Sequence, residues 1–155
     1  MQSAIHEERR AGYLLSSDPA RLNVAWVHAE LSGKSYWAQG RTAAAHKIAT
    51  ASSLNFGVYR DESGEAGAGV ALQQVGYARV VTDYAFFGWL ADVWIAEEMR
   101  GQGLGKWLVR GLLRHPDVAQ LRRIMLVTRD AHALYSAEGF APLTDPELFM
   151  VRTSA

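Results

Sequence analysis

The feature that most constrains this chain is a glycine-rich stretch, EEMRGQGLGKWLVRGLLRHP, at residues 97–116. Gly101, Gly103 and Gly105 stand at alternate positions directly before an amphipathic run. The first turn of a helix leaves its N–H groups unpaired and carries the positive end of the helix dipole, and glycines let a phosphate group approach those N–H groups. The stretch therefore predicts a helix over 103–114 whose N-terminus binds an anion.

Composition narrows the class of protein. The 155 residues suit one domain, 1–155, with a single core and a polar lead-in over 1–20. Sixteen basic residues balance sixteen acidic ones, so we expect neither a nucleic-acid nor a membrane partner. The lack of cysteine excludes disulfides and thiolate metal sites, and the histidine spacing suggests no metal, so none is predicted. We find no signal-peptide pattern or membrane-spanning run and expect a cytoplasmic protein.

Hydrophobic periodicity predicts strands and helices in mixed order. Alternating apolar residues favour a strand over 21–31, and the alanine-rich run 35–52, which starts at a serine, favours a helix. A continuous apolar run at 123–128 is typical of a parallel strand buried on both faces. A hairpin is predicted for 54–60 and 74–82, around a glycine-rich loop (61–69), and it is followed by a strand (89–96). Further along the chain, a helix is predicted between Asp130 as N-cap and Gly139 as its C-terminal stop, and a final strand over 147–152.

This order of elements predicts an α/β or α+β fold with a sheet of mixed direction, whose crossover unit begins at the glycine loop. The helix after that loop should pack one apolar face on the sheet, because its large side chains recur at helical spacing. The residues on that face are Leu104, Trp107, Leu108, Gly111 and Leu112.

Three kinds of phosphate-binding loop compete for the glycine stretch. A P-loop needs Ser or Thr after its Gly-Lys, but Gly105-Lys106 is followed by Trp107. A dinucleotide-binding fingerprint needs G-x-G-x-x-G and an acidic residue at the end of the next strand; here the third glycine comes one position early and that acid is missing. Both interpretations fail, which leaves a third pattern.

RGQGLG, at 100–105, resembles the R/Q-x-x-G-x-G/A loop of the GNAT N-acetyltransferases, which holds the pyrophosphate of an acyl-coenzyme A. The loop follows the strand-like LADVWIAEEM, and ALYSAEGF, some thirty residues later, resembles the family's L-Y-x-x-x-G-F signature. SYWA together with ARVVTDYAFFGWLADVWI is similar to a set of small single-domain members. The resemblance implies a mostly antiparallel central sheet flanked by helices, with a β-α-β crossover that carries the pyrophosphate loop.

The resemblance also implies a function: transfer of an acetyl group from acetyl-CoA to a primary amine of a small molecule or peptide. A homodimer is common in the family. Donor binding is expected from the main-chain N–H groups of the loop, from two basic side chains beside it, and from the strand edge that pairs with the pantetheine arm. Thr128 stands where many relatives have an asparagine that contacts the cofactor. The expected donor-binding residues are Val93, Trp94, Ile95, Arg100, Gly101, Gln102, Gly103, Leu104, Gly105, Lys106 and Thr128.

For catalysis, the resemblance places Tyr135 beside the sulfur of coenzyme A as general acid. We take its ordinary pKa of about 10, above the roughly 8.5 of a thiol, to favour proton donation. The general base is less well defined, because relatives carry a glutamate where this chain has Ala91. Asp92 and Asp83 are the nearby carboxylates, and each could serve as base, bind a cationic substrate, or make a strand or turn hydrogen bond.

Two other hypotheses stay open. A domain of this type could bind acyl-CoA as a ligand or sensor without catalysis, as the missing glutamate would allow, or its glycine loop could be a structural turn in an interaction domain. Four aromatic residues before and within the strand that precedes the loop either line an acceptor pocket or pack the sheet and a dimer contact. They are Tyr84, Phe86, Phe87 and Trp89.

Overall fold

A six-stranded sheet organises the chain in the computed structural model, which describes residues 3–63 and 71–154. The strands lie in sequence order across the sheet, with antiparallel pairing from the first to the fifth and parallel pairing of the sixth with the fifth. This confirms the predicted mixed, mostly antiparallel sheet. The strands are β1 (Glu7–Arg10), β2 (Tyr13–Ser16), β3 (Leu54–Asp61), β4 (Leu72–Thr82), β5 (Phe87–Ile95) and β6 (Arg123–Met125).

Helices cover both faces of the sheet. The larger core cluster joins the sheet to the helix after the glycine loop, and a smaller cluster joins the other face to the first helix through Val27, Leu31, Tyr77 and Trp94. Burial of apolar side chains on two faces is the main stabilising contribution to such a layered fold. The helices are α1 (Val24–Lys34), α2 (Ala43–Ala51), α3 (Leu104–Arg114), α4 (Pro116–Ala119) and α5 (His132–Ser136); short 3₁₀ turns occupy Pro19–Arg21, Glu97–Met99 and Pro146–Leu148.

The prediction of a polar lead-in over 1–20 is wrong, because Glu7–Arg10 and Tyr13–Ser16 within it form the β1–β2 hairpin. Its turn places Ala11 and Gly12 at positive φ, 39° and 85°. Leu14 and Leu15 of β2 are fully buried, so the hairpin contributes to the core. Its outer strand is polar and marks one edge of the sheet, which hid its strand character in the sequence.

The predicted strand over 21–31 is also wrong, since α1 occupies most of that range. The Asn23 side chain caps it by accepting from the Trp26 N–H at 3.0 Å, and the buried residues Val27 and Leu31 are four apart, the helical spacing. The local alternation of apolar residues before Val27 suggested a strand, but tertiary burial follows the helical period.

The predicted helix 35–52 is only half present. Residues 35–42 form a loop, and α2 begins after Thr42, whose hydroxyl accepts from the Ala45 N–H at 3.2 Å. Gly40, at φ 74°, provides the left-handed turn that separates the two parts. This loop between α1 and α2 reaches the site described below.

The predictions near the glycine loop hold. The predicted hairpin is β3–β4, the strand is β5 and the helix is α3, and all five residues of its expected apolar face are buried. A Cβ at Gly111 would lie 2.6 Å from Leu15 Cδ1, so glycine allows α3 to pack closely on β2. Most of the predicted loop 61–69 lies outside the described residues.

The predictions for the C-terminal third are partly wrong. The strand expected at 123–128 is limited to β6, and its residues are exposed or half-buried instead of buried on both faces. The strand expected at 147–152 has irregular backbone after a 3₁₀ turn. Asp130 does not cap α5, because the N-cap residue is Ala131 and no side chain accepts a capping hydrogen bond there; the Ala131 N–H itself donates to the Thr128 hydroxyl at 3.0 Å. Gly139, at φ 90°, does follow the helix as expected.

Candidate active site

A cleft opens where β5 and β6 separate. The two strands pair only from Phe87 with Arg123 to Trp89 with Met125, whereas β5 continues to Ile95. The Ala96 N–H donates to the Val75 carbonyl of β4 at 2.8 Å, so alternation turns the N–H group of Ile95, the residue before it, toward the separated side. The open edge of β5 thus offers a main-chain donor.

A bulge in β5 contributes to this opening. The register against β4 runs from Trp94 opposite Tyr77 to Ala91 opposite Arg79, so β5 has one residue more than β4 between these pairs. Asp92 lies in this irregular stretch, between Ala91 and Trp94, and has a positive φ of 56°. A bulge bends its strand and increases the local twist, so β5 turns away from the line of β6 at this point.

The glycine loop lies at the end of the open edge. Gly101 and Gly103 have φ values of 83° and 76°, the left-handed region that glycine adopts without steric cost. Within residues 3–63 and 71–154, the N–H groups from Gly101 to Lys106 donate to no protein acceptor, and no side chain caps α3. Unpaired N–H groups at the positive end of a helix are a suitable site for a phosphate.

The β1–β2 hairpin holds this loop from its other side. The Arg10 guanidinium donates to the carbonyl oxygens of Gln102 at 3.3 Å and Gly103 at 3.4 Å. The Tyr13 hydroxyl donates to the Gln102 side chain at 3.1 Å. Because the loop carbonyls are engaged by the hairpin, its N–H groups face the opposite side. The sequence analysis missed Arg10 and Tyr13, and the turn pair Ala11-Gly12 was the available signal for the hairpin that carries them.

Of the two basic side chains expected beside the loop, Arg100 folds back. Its Nε donates to the Ile95 carbonyl at 3.0 Å, and its guanidinium carbon lies 4.6 Å from the centre of a Trp94 ring. Lys106 is exposed in the first turn of α3. The positive charge of Arg100 is therefore fixed between β5 and the loop, whereas that of Lys106 extends into solvent.

Tyr135, the expected general acid, is buried on α5 and packs edge-on against Phe140 with 5.9 Å between ring centres. Burial, with the nearby Tyr36 and Asp130, raises the pKa of Tyr135 to about 12. Our expectation about proton donation is wrong in sign, because transfer from the weaker acid to a thiolate is uphill. With a thiol pKa near 8.5 the gap is about 3.5 units, or roughly 5 kcal/mol. Tyr135 stays protonated at neutral pH and can donate a hydrogen bond.

Asp92 is surrounded by donors. Its carboxylate, 5% exposed, accepts two hydrogen bonds from Arg41 at 2.7 and 3.1 Å, one from Arg79 at 2.7 Å and one from the Trp37 indole at 2.9 Å. Burial raises the pKa of Asp92, but the two arginines outweigh it and hold the pKa below its usual value. Four donors fill its acceptor sites, so Asp92 is built as an anchor more than as a base.

Asp83 lies in the β4–β5 turn. One carboxylate oxygen accepts from the N–H groups of Ala85, Phe86 and Phe87 at 2.9 to 3.0 Å, and these hydrogen bonds lower the pKa of Asp83. The turn is at the end of β5 where β6 still pairs, away from the open part of the edge. Its geometry is that of a turn-forming side chain.

The loop between α1 and α2 crosses the cleft, which the sequence analysis did not predict. Trp37 binds Asp92 on β5 and packs edge-on against Trp94 at 6.0 Å. The neighbouring Tyr36 hydroxyl accepts from the Arg129 N–H at 3.0 Å, and the Arg129 guanidinium lies 3.9 Å from the centre of the Tyr36 ring. The loop therefore connects β5 to the segment after β6, over the open edge.

The four aromatic residues of the β4–β5 region lie away from this loop. Tyr84, Phe86 and Phe87 are exposed around the turn, and Trp89 is half-buried. They gather at the paired end of β5 and β6, so they do not line the open edge. The aromatic side chains over the cleft are Tyr36 and Trp37 instead.

Comparison with known proteins identifies the family. The model of the acetyltransferase (GNAT) family matches residues 30–140, which include the cleft, the glycine loop and Tyr135. The chain belongs to the GNAT acetyltransferase family. A candidate acetyltransferase of Gibberella zeae is 39% identical to this GNAT protein over 136 residues, 81% of this chain and 77% of the relative. Members of the family transfer acetyl groups and use acetyl-CoA as co-substrate.

Solved structures agree with this assignment. A crystal structure of a candidate GNAT acetyltransferase from Xanthomonas campestris has a TM-score of 0.83 and 36% identity, and covers 94% of this GNAT chain and 96% of its own. The glucosamine-6-phosphate N-acetyltransferase of Arabidopsis thaliana shares the fold, with a TM-score of 0.60, 15% identity, and coverage of 94% and 98%.

Neither a membrane-spanning helix nor a cluster of metal ligands is present in the described ranges, 3–63 and 71–154. No helix there is long and apolar enough to cross a bilayer. No group of three or more potential metal ligands gathers there either. The expectation that the protein needs no metal stays a prediction.

Proposed function

We propose that this protein is an N-acetyltransferase that moves the acetyl group of acetyl-CoA to a primary amine of a small molecule or peptide. One observation supports this proposal most directly. The open edge of β5 ends at a loop whose N–H groups, from Gly101 to Lys106, have no acceptor among the described residues. An extended chain that ends in a pyrophosphate fits this surface, because it needs strand-like pairing followed by an anion site.

The residues suit a donor of that kind. The N–H group of Ile95 can pair with an amide of a pantetheine arm, and the loop with its phosphates. Arg100 and Lys106 add positive charge near the phosphates. Thr128 can still donate its hydroxyl proton, although its oxygen already accepts from Ala131.

The reaction needs few protein groups. The amine nitrogen attacks the thioester carbonyl, a C–N bond forms and the C–S bond breaks, and the proton lost by the nitrogen balances the one gained by the thiolate. We assign Tyr135 as general acid, in the sense that it donates a hydrogen bond to the sulfur as charge develops there. Its high pKa means that full proton transfer must be coupled to the proton released by the nitrogen.

The amine must be neutral to attack, and position 91 has no carboxylate to deprotonate it. Arg41 and Arg79 share the single carboxylate of Asp92, which leaves one net positive charge beneath the Trp37 loop. Arg129, at the other side of the cleft, has no carboxylate within 4.0 Å in the described part of the chain. A positive environment lowers the pKa of an ammonium ion, so it favours the neutral amine. We propose that Asp92 acts through this arrangement as a positioning residue and that Asp83 only forms the turn.

A second candidate function is a non-catalytic acyl-CoA sensor. The specific observation in its favour is that Ala91 offers no base and that Asp92 is saturated with donors. The two functions differ in one measurable respect: an enzyme releases coenzyme A thiol when an amine is present, and a sensor does not.

Calorimetric titration of acetyl-CoA tests the donor site, with Gly105→Glu as the variant and Gly105→Ala as its matched control. A Cβ at Gly105 would make only an ordinary contact, 3.9 Å from Ile95, so both variants should fold. A carboxylate in the first turn stabilises a helix but repels a pyrophosphate.

We expect binding to the wild type and Gly105→Ala, and at least about a tenfold loss in Gly105→Glu. Thiol release with a panel of amines then separates enzyme from sensor. Absence of acetyl-CoA binding in all three proteins would overturn both functions.

A further inference from the structure

An arginine without an anionic partner stands at one side of the cleft. Arg129 follows β6, and across residues 3–63 and 71–154 its guanidinium makes no ion pair. Arg41 and Arg79, by contrast, share the carboxylate of Asp92. Arg100 donates to a main-chain carbonyl of β5 at 3.0 Å. Of these four arginines, Arg129 is therefore the one placed to bind an anion from outside the protein.

The Arg129 side chain is held in place although it is exposed. Its guanidinium carbon lies 3.9 Å from the centre of the Tyr36 ring, and its main-chain N–H donates to the Tyr36 hydroxyl at 3.0 Å. A guanidinium that lies over an aromatic ring keeps its N–H groups available in its own plane. Because one residue fixes both the main chain and the side chain of Arg129, little conformational entropy is lost when an anion binds there.

Aromatic side chains line the cleft beside this arginine. Tyr36 and Trp37 are each 41% exposed, and their rings pack edge-on with 4.9 Å between ring centres. Trp37 is fixed in turn, because its indole donates to Asp92 at 2.9 Å. Tyr36 is also close to Tyr135, the proposed general acid. A ligand bound by Arg129 would thus meet an apolar surface with the reaction centre nearby.

We propose that the acceptor is an amine that also carries a carboxylate and an apolar group, as a hydrophobic amino acid does, and that Arg129 binds the carboxylate. This inference rests on the proposed function, because it assigns the acceptor side of the same cleft. Two parallel N–H groups of the guanidinium match the two carboxylate oxygens, and Tyr36 and Trp37 contact the apolar group. Arg129 is then a specificity-determining residue that touches the substrate away from the reacting nitrogen.

The charge of Arg129 matches a carboxylate better than a phosphate. A carboxylate brings one negative charge to one guanidinium, whereas a phosphate group brings about 1.5 to 2. The side chain of Asp130, next along the chain, is exposed, where solvent screens its charge. When Arg129 binds the carboxylate, Arg41, Arg79 and Asp92 keep their net positive charge, so their effect on the pKa of the amine is retained.

Binding of a probe that resembles the product tests this site without turnover. N-acetylphenylalanine has a carboxylate and an apolar side chain but no amine to acetylate, and N-acetylphenylalaninamide differs from it by the loss of the charge. Each probe is titrated calorimetrically into the protein in the presence of coenzyme A. We expect the wild type to bind the acid roughly 10–100-fold more tightly than the amide, as is typical of hydrogen bonds to a charged group.

Three variants test whether Arg129 causes this preference. Arg129→Gln should bind the acid and the amide almost equally, and Arg129→Lys should recover part of the preference because it keeps the charge. Arg122→Gln is the matched control: Arg122 is exposed just before β6, at the end where β6 pairs with β5, and its variant should bind like the wild type. Equal affinity of the wild type for both probes, no binding of either, or a preference that survives in Arg129→Gln would overturn the inference.

Thiol release separates this inference from the proposed reaction. Phenylalanine is compared with phenethylamine, and β-alanine with phosphoethanolamine, at equal concentrations of neutral amine. The amine with a carboxylate should have a kcat/KM at least about tenfold higher in the wild type but not in Arg129→Gln. Turnover without this difference, or a preference for phosphoethanolamine, would contradict the inference but not the proposed acetyl transfer. Acid-selective probe binding without thiol release from any amine would support the carboxylate site and contradict the proposed reaction.

Discussion

Replacement of Asp92 by asparagine should destabilise the fold more than it affects the chemistry. The carboxylate receives four hydrogen bonds, three of them from the largely buried guanidinium groups of Arg41 and Arg79. Asparagine keeps the shape but removes the negative charge, so two buried cations lose their counter-charge. Removal of one partner from a buried ion pair costs about 3–5 kcal/mol of stability. Because the amide oxygen of asparagine can still accept hydrogen bonds, we expect a loss near the lower figure, ~3 kcal/mol.

Urea denaturation followed by tryptophan fluorescence measures this change. Asp83→Asn, in an exposed turn, is the comparison and should alter the free energy of unfolding much less. Kinetics are then compared per folded molecule at low denaturant. A loss of under about 1 kcal/mol of stability in Asp92→Asn, together with a more than hundredfold fall in turnover, would instead identify Asp92 as the base.

The pH dependence of stability gives an independent check. The pKa of Asp92 is lower in the folded protein than in the unfolded chain, where it is about 3.9. Its contribution is therefore complete above that unfolded value and is lost as the pH falls through the lower folded value. The wild type should lose stability in this acid range, and Asp92→Asn should show a flatter acid limb.

Three further predictions concern the donor site and the core. Tyr135→Phe should lower kcat by about 10–100-fold with little change in acetyl-CoA affinity by calorimetry; equal turnover would remove the hydroxyl from the mechanism. Arg10→Ala should weaken acetyl-CoA binding about fivefold, since the loop loses its support, whereas Arg9→Ala, next to it, should not. Gly111→Ala should lower the free energy of unfolding by about 1–3 kcal/mol, because the added Cβ contacts Leu15. Gly33→Ala in α1 should raise it by about 0.5–1 kcal/mol, because the space around that Cβ is open and alanine favours a helix. Equal effects in urea denaturation would contradict the role of packing at Gly111.

The sequence predicts the centre of the fold well and its ends poorly. The β3–β4 hairpin, β5 and α3 have clear periodicity and glycine signals, and they form three inner strands of the sheet and the helix packed on it. The β1–β2 hairpin was missed because its outer strand is polar on both sides and only β2 reaches the core. The 147–152 segment has a strand pattern but no strand next to it in the chain, so local sequence could not decide its pairing.

The candidate site also has a part that the sequence predicts and a part that it does not. The glycine loop is local in sequence, so its residues could be named from their spacing. Its support by Arg10 comes from 92 residues earlier, and the Trp37 contact with Asp92 spans 55 positions. Contacts between distant segments depend on sheet order and on the bulge at Asp92, which no periodicity reveals.

The bulge at Asp92 connects the bend of β5 with the position of the α1–α2 loop. It gives Asp92 a positive φ, which few residues adopt, and the four hydrogen bonds of the carboxylate stabilise that conformation. The same residue binds Trp37, which holds the α1–α2 loop over the cleft, and the same bend separates β5 from β6. Disruption of the Asp92 cluster should therefore change cleft opening and loop position together. A structure of Asp92→Asn in which β5 keeps its bulge while the Trp37 loop is displaced would show that the two are independent.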